Sequence, residues 1–182
     1  DDSVGDSVSL QIERGGEVLQ GTLPVNDLHA ITPDEFIEYG EGIFNDLSYQ
    51  QARHFNRPVS GVYVANPGYV FGSAAIPRAS LIMSVDGESM RSLDDLQRVL
   101  ERLPDGARTT VRFTQFDDPQ TERQRVINND RDWFPAQRCK RNDVNGLWPC
   151  RDLAQGPPAQ ATEPQSTTFP PQPGERYIQR II

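Results

Sequence analysis

Short apolar runs bounded by strong turn signals constrain this chain more than any other feature of its sequence. Residues 81–85 form one such run, and the turn pair Asp86-Gly87 follows it directly. Similar turn signals recur at Gly15-Gly16, Asn66-Pro67-Gly68, Pro104-Asp105-Gly106 and Asp117-Asp118-Pro119. Runs of strand length between such signals predict β-strands. We therefore expect an α+β fold that is mainly β.

Two stretches share the layout of a β-hairpin, with a glycine, a strand, a polar turn and a return strand. The first covers residues 5–25, where Val8, Leu10 and Ile12 alternate with polar residues. The second covers residues 106–127. A lone hairpin is marginal in water, so the first must pack on something else. One interpretation of the repeated layout is that the first hairpin closes an upstream domain of the same type.

Helix periodicity is clearest after Ser92, which is a good N-cap for an amphipathic helix ending before Pro104. The apolar stripe of that helix consists of Leu93, Leu96, Val99, Leu100 and Leu103. Ser48 is the cap of a second predicted helix that ends at Phe55. Thr32 precedes Pro33 and predicts a short helix or turn that leads into a strand.

The charge balance limits the partners that this chain can have. Its formal net charge is -8 at pH 7, whereas nucleic-acid binding depends on clustered cationic side chains. No run of eighteen apolar residues is present, so we expect no membrane span. We also expect no cofactor and no metal site, because neither a Gly-rich phosphate loop nor a metal-ligand cluster occurs.

Two cysteines, Cys139 and Cys150, lie eleven positions apart in a segment that reads as a loop. They are either two free thiols or a disulfide that closes a short loop. In the chain-entropy description such a bond contributes about 2–3 kcal/mol. A disulfide would indicate an oxidising compartment.

Three stretches together resemble the PDZ domains of HtrA/DegP-like trypsin-type serine proteases. They are Glu41-Gly42-Ile43-Phe44 with the following helix, the strand–helix–strand pattern of residues 61–87, and the helix and strand of residues 93–111. Residues 45–53 and 141–148 are similar to a branch of large multi-PDZ proteases that includes nuclear pro-apoptotic serine proteases and bacterial relatives. In place of the family's usual Gly-Asp before the strand at 81, this chain has Ala79-Ser80.

The resemblance implies a PDZ-like, partly open β-barrel or sandwich of five to six strands with two helices. We expect the PDZ-like domain at residues 36–130, preceded by a β-hairpin at 1–27 and a linker at 28–35. Residues 131–153 are expected to be an irregular Trp- and Cys-containing extension, and residues 154–182 a Pro/Gln-rich tail. The tail ends in the apolar segment from Tyr177 to Ile182, which we interpret either as a self-association element or as an arbitrary chain end.

In this family a peptide adds as an extra strand beside a glycine-containing loop, and its last side chain enters an apolar pocket. Carried over to this sequence, the resemblance implies a peptide-binding site with carboxylate-binding, strand and helix residues. The predicted site residues are Glu41, Gly42, Ile43, Phe44, Asn45, Leu96 and Leu100.

Two functions remain open for such a region. The first is non-catalytic binding of C-terminal or unfolded-protein segments, which recruits substrate to the parent protease domain in protein quality control. The second is a structural or oligomerisation module whose groove is blocked by its own extension or tail. A third and weaker reading is an enzyme with an unrecognised site.

We expect no catalysis from this chain itself. Ser7 lies in a Gly-Asp-Ser sequence, but a triad also needs a histidine and a carboxylate beside it. Only His29 and His54 are present, in a linker and on a helix. The cysteine pair favours a bacterial periplasmic location, and a nuclear or intracellular location is the alternative.

Overall fold

The computed structural model describes residues 3–134 and 136–156. The predicted docking segment from Tyr177 to Ile182, and the tail from residue 157 onward, lie outside the described residues. Within the described part the chain forms a separate two-stranded hairpin and one nine-stranded open sheet with three helices. The prediction of an α+β, mainly β fold is confirmed.

The N-terminal hairpin pairs strands β1 (Ser7–Arg14) and β2 (Glu17–Pro24) around Gly15-Gly16. Both glycines have positive φ, which this tight turn requires. Nearly every residue of the two strands is exposed. The hairpin therefore buries almost none of its apolar side chains against the described residues.

The large sheet has the strand order β11-β10-β3-β4-β5-β6-β8-β9, and β7 pairs with β6. All of the pairings are antiparallel. Its strands are β3 (Glu35–Tyr39), β4 (Gly42–Asp46), β5 (Val62–Asn66), β6 (Ser80–Val85), β7 (Glu88–Ser89), β8 (Arg108–Gln115), β9 (Arg123–Asn128), β10 (Ala136–Lys140) and β11 (Cys150–Asp152).

The three helices are α1 (Tyr49–His54), α2 (Gly68–Ser73) and α3 (Leu93–Arg102). Ser48 begins α1 with a capping box, in which its side chain accepts from the backbone of Gln51 and the Gln51 side chain reaches back. Helix α3 covers the core with the predicted stripe, and its residues Leu93, Leu96, Val99 and Leu100 are fully buried.

Strands β4 to β9 match the five to six strands that we predicted, but two expectations were wrong. The chain has three helices rather than two, because residues 68–73 complete a helix of their own. The extension after residue 130 is not irregular, because it contributes β10 and β11 to the sheet. Strand β3 is a further addition, since it forms where a short helix or turn leading into a strand was expected.

A strained residue stands before β6. Ala79 has φ +60, a conformation that glycine adopts more readily than alanine. Its N–H donates to the carbonyl of Val64 on β5 at 2.8 Å. The turn is thus kept although Ala79 replaces the family's glycine.

Candidate functional site: the edge of strand β4

The candidate site lies between strand β4 and helix α3, and Asp46 holds these two elements together. Its carboxylate accepts a hydrogen bond from the Leu93 N–H at 2.7 Å, at the start of the helix. Burial raises the pKa of Asp46, while this hydrogen bond acts in the opposite direction. The predicted cap, Ser92, makes no side-chain capping bond. The N-terminus of the helix is therefore capped from the neighbouring strand.

Strand β3 occupies the edge of β4 that faces away from β5. Ile37 pairs with Phe44, Glu38 with Ile43, and Tyr39 with Gly42. Helix α3 lies against both β3 and β4. Because β5 pairs with the opposite edge, both edges of β4 already carry a strand of the same chain.

The loop predicted to receive a peptide carboxylate forms the turn between β3 and β4. Gly40 has φ +57 and Glu41 has φ +62, as in the two-residue turns that match the twist of a hairpin. The carbonyl of Gly40 accepts from the N–H of Tyr69 at 2.9 Å and of Val70 at 3.2 Å. The backbone of this loop is thus committed to the hairpin and to its contact with α2.

Gly68 is required for that contact. It has φ +59, and a Cβ at this position would overlap the backbone of Glu41 and Gly42. The overlap involves backbone atoms, which cannot turn aside as a flexible side chain can. The start of α2 therefore packs directly against the turn.

The residues predicted to line an apolar ligand pocket lie in the core together with β3. Ile37 and Tyr39 are 0% and 1% exposed, and they belong to the same core cluster as Phe44, Leu96 and Leu100. Phe44, Leu96 and Leu100 are themselves completely buried. In this arrangement the side chains of β3 pack directly against the predicted site residues.

A buried polar network holds the end of β3 in the core. The Tyr39 hydroxyl donates to Asn129 Oδ1 at 2.6 Å, and Asn129 Nδ2 donates to the carbonyls of Leu103 and Pro104 at 3.0 and 2.6 Å. Burial raises the pKa of Tyr39 far above its ordinary value. The hydroxyl stays protonated and keeps donating at all physiological pH values.

Arg138 on β10 connects β3 to α3 from the outer side. Its guanidinium donates to Glu35 at 2.6 Å, to Asp94 at 2.6 Å and to Gln97 at 3.0 Å. Burial disfavours the ionised form of Glu35, but hydrogen bonds from Lys140 and Arg138 outweigh it and lower the pKa of Glu35. The Arg138 side chain is only 14% exposed, so these charge-assisted bonds are partly shielded from water.

The cysteines of the extension are joined in a disulfide, as one of the two alternatives predicted. Cys139 on β10 pairs directly with Cys150 on β11. Cys139 is 1% exposed and lies opposite Phe36 of β3. Phe36 in turn packs against Trp148, with ring centroids 5.3 Å apart.

The sequence predicted that the strand from Gly42 to Asn45 lies beside α3, but it did not predict the residues that pack next to that strand. The residues it missed are Ile37, Tyr39 and Arg138. The signal was present in Phe36-Ile37-Glu38-Tyr39, which alternates in strand fashion, followed at once by a glycine-containing turn. That pattern indicates a strand, but it does not identify the strand with which it pairs.

The residues considered for catalysis lie in different parts of the fold. Ser7 begins β1 in the exposed hairpin, and His54 ends α1. His29 contacts Arg141 at 3.0 Å and Asp143 at 3.2 Å. Among residues 3–134 and 136–156, no group of three or more His, Cys, Asp or Glu side chains is arranged to hold a metal. In that same part of the chain no helix is long and apolar enough to cross a membrane.

Comparison with known proteins agrees with this architecture. Residues 30–106 match the family model of the PDZ-like domain. The chain is 42% identical to Protease Do-like 7 of Arabidopsis thaliana over 150 residues, which is 81% of this chain and 14% of that protein. It is 39% identical to the pro-apoptotic serine protease NMA111 of Coccidioides immitis over 170 residues, which is 93% of this chain and 16% of that protein.

A third relative, the pro-apoptotic serine protease nma111 of Aspergillus oryzae, is 38% identical over 93% of this chain and 17% of its own length. The chain thus spans about one sixth of the length of these curated relatives. They come from a plant and from fungi, so they do not support the periplasmic location that we expected. No solved structure matches the chain significantly.

Proposed function

Residues 30–106 form a PDZ-like domain similar to segments of Do-like serine proteases, and on that premise we propose that it is a self-occupied PDZ module. In this proposal the region is a non-catalytic, structural part of a longer trypsin-type protease. Its groove between β4 and α3 is filled by its own strand β3. The observation that carries the proposal is the pairing of Ile37 with Phe44.

Peptide recognition by strand addition requires a free strand edge and free backbone N–H groups. In this chain β3 pairs with the edge of β4, and the Gly40-Glu41 turn occupies the loop. An external peptide cannot pair with this edge of β4 while β3 is in place. We therefore infer that external C-terminal peptides do not enter this groove in the closed state.

A structural role also fits the N-terminal hairpin. The Gly5 N–H donates to the Val25 carbonyl at 3.0 Å, and the Val25 N–H donates to the Asp6 carbonyl at 2.8 Å. The β8–β9 hairpin closes in the same way, through the residues at 106, 107 and 129, with distances of 2.6 and 2.8 Å. The matching hydrogen bonds support the proposal that β1 and β2 close an upstream domain of similar fold.

One face of the N-terminal hairpin supports the same proposal. Val8 pairs with Leu23, and Ile12 pairs with Leu19, so these four side chains share a face. Each is about half exposed. In β8 and β9 the corresponding face, with Val111, Phe113 and Ile127, is buried in the core. In this proposal the apolar face of the first hairpin packs against an upstream domain of the parent chain.

The second candidate function is recruitment of peptides by the residues from Gly42 to Asn45 with Leu96 and Leu100. It is favoured by membership of a domain class whose general role is peptide binding. It requires that β3 leaves the groove. Cleavage of any substrate would belong to the protease domain of the parent, so we expect the chain alone not to degrade unfolded casein.

We base the proposed location on the relatives rather than on the disulfide. The relatives named above are plant and fungal proteins, so we propose an intracellular, nuclear-type address before a periplasmic one. Fractionation of cells that express the full parent protein tests this proposal, and secretion of that protein would overturn it.

A titration monitored residue by residue tests the closed groove. The isotopically labelled chain, in its disulfide form, is titrated with a mixture of extended C-terminal peptides while backbone amide signals are recorded. We expect no saturable change at the amides of Phe44, Asn45 or Leu96 at millimolar peptide. Saturable changes confined to β4 and α3 would overturn the proposal and establish peptide recruitment instead.

A further inference from the structure

We propose that the Cys139–Cys150 disulfide is a redox-sensitive latch that keeps β3 in the groove of this PDZ-like domain. In this proposal, reduction by a dithiol allows β10 and β11 to detach, so that an extended external segment can replace β3. The inference rests on the proposed self-occupied groove and adds its regulation.

The latch is built from consecutive layers on the outer side of β3. Strand β10 pairs with β3 over five positions, and β11 pairs with β10 over three. The disulfide joins one of those three pairs, Cys139 and Cys150. Strand β11 has no other strand partner among the described residues, so the covalent bond carries a large part of the attachment of this short strand.

The disulfide also holds the contacts that cover β3 from outside. It closes the segment containing Trp148, which packs on Phe36. After β11 the chain places Leu153 in the core at 4% exposure, where its N–H donates to the Ala136 carbonyl at 2.8 Å. Opening the bond therefore loosens both the contact of Trp148 with Phe36 and the attachment of the segment that ends at Leu153.

The two sulfur atoms differ in their surroundings in a way that orders the reaction. Cys150 is on the exposed outer strand, whereas Cys139 is buried. A thiolate of the reductant attacks Cys150 Sγ, the bond to Cys139 Sγ breaks, and Cys139 leaves as a thiolate that takes up a proton. The second thiol of the reductant then displaces Cys150, which also takes up a proton. The balance is two cysteine thiols formed and one dithiol oxidised to its disulfide.

The size of the effect follows from the length of the closed loop. The two cysteines are 11 positions apart, and the chain-entropy relation for a loop of this length corresponds to about a 100-fold change in the opened population. The Arg138 contacts with Glu35 and Asp94 also hold β10 in place and do not involve the sulfur atoms. Reduction alone thus favours opening, and a competing segment completes it.

Strand β3 itself defines the chemistry of the segment that can replace it. The buried side chains Ile37 and Tyr39 stand two positions apart and face the core, while Glu35 and Glu38 accept hydrogen bonds from Arg138 and Gln137 of β10. An entering segment needs an extended backbone with a branched aliphatic residue and an aromatic residue at positions i and i+2. Tyrosine is favoured at the second position because its hydroxyl reaches Asn129.

The test compares oxidised and reduced protein by hydrogen exchange and by peptide binding. The probe is a fluorescent peptide with the sequence of residues 34–40, and the control peptide carries Ile37→Asp and Tyr39→Asp. We expect the amides of β3 and β10 to exchange about 100-fold faster after reduction, while those of β5 and β6 stay protected. Only the reduced protein should bind the probe, and neither form should bind the control peptide.

Two variants separate the latch from general effects of the reductant. The double variant Cys139→Ser, Cys150→Ser should behave as the reduced protein without any reductant. Val144→Ser, in the same loop at 97% exposure, should behave as the parent in both redox states.

Three outcomes would refute the reasoning. If β3 stays as protected in the double variant as in the oxidised protein, the latch is refuted, whereas the self-occupied groove is not. Loss of protection in β5 and β6 at the same time also overturns it, because the bond would then support the whole fold. Binding of the probe by the oxidised protein refutes the self-occupied groove itself.

Discussion

Replacing Ile37 by alanine tests whether β3 is a structural strand of this domain. Ile37 is completely buried and pairs with Phe44 across the ladder. The change removes three carbon atoms from the core. At about 0.8 kcal/mol for each buried CH2 group, their transfer accounts for about 2.4 kcal/mol. A cavity adds to this loss, so we expect the free energy of unfolding to fall by about 3 kcal/mol.

The assay is urea unfolding followed by circular dichroism, with the slope of the transition compared between variants. Val59→Ala is the matched control, because Val59 is 57% exposed in a loop and its truncation should change the free energy by less than about 0.5 kcal/mol. If Ile37→Ala has an effect no larger than this control, β3 does not occupy the core in solution. The reasoning about the groove would then be wrong.

Three further changes test other contacts of the site. Tyr39→Phe should lower stability by about 1–3 kcal/mol in thermal unfolding, because Asn129 Oδ1 loses its buried donor; no effect would mean that water replaces the hydroxyl. Ala79→Gly should raise stability by about 0.5–1 kcal/mol, since φ +60 is strained for alanine, and a loss measured by urea unfolding would contradict this. Acidification should weaken the contact of Glu35 with Arg138 and Lys140. Because the folded-state pKa of Glu35 is lowered, its contribution is present above the unfolded pKa of about 4.3 and is lost as pH falls through the folded value. Glu35→Gln should therefore destabilise the protein more at pH 6 than at pH 3, and an equal effect at both values would show that charge is not involved.

The local patterns in the sequence predicted most of the elements correctly. Alternation around Gly15-Gly16 predicted the first hairpin, and the Ser92 helix has the predicted buried stripe. Ser48 also caps α1 as predicted. These features were readable because they depend on residues fewer than about ten positions apart, whose periodicity and turn chemistry act locally.

The tertiary structure decided which strand lies at the edge of β4. Residues 35–39 are an alternating segment that could pair with many strands, and the sequence alone does not say where such a segment docks. The Gly40-Glu41 turn places it beside β4, and Tyr39 is held by Asn129, ninety positions away. The cap of α3 is similar, because Asp46 reaches it from 47 positions earlier.

By itself, the sequence determined the mainly β character, the amphipathic helix α3 and the resemblance to a PDZ domain, since short-range patterning and motifs carry all three. Only the tertiary structure decided that β3 lies in the core beside β4 and α3. That position depends on the pairing of β3 with β10, the burial of Ile37 and Tyr39, and the Arg138 bridge. Those interactions form only when distant segments meet in the folded chain.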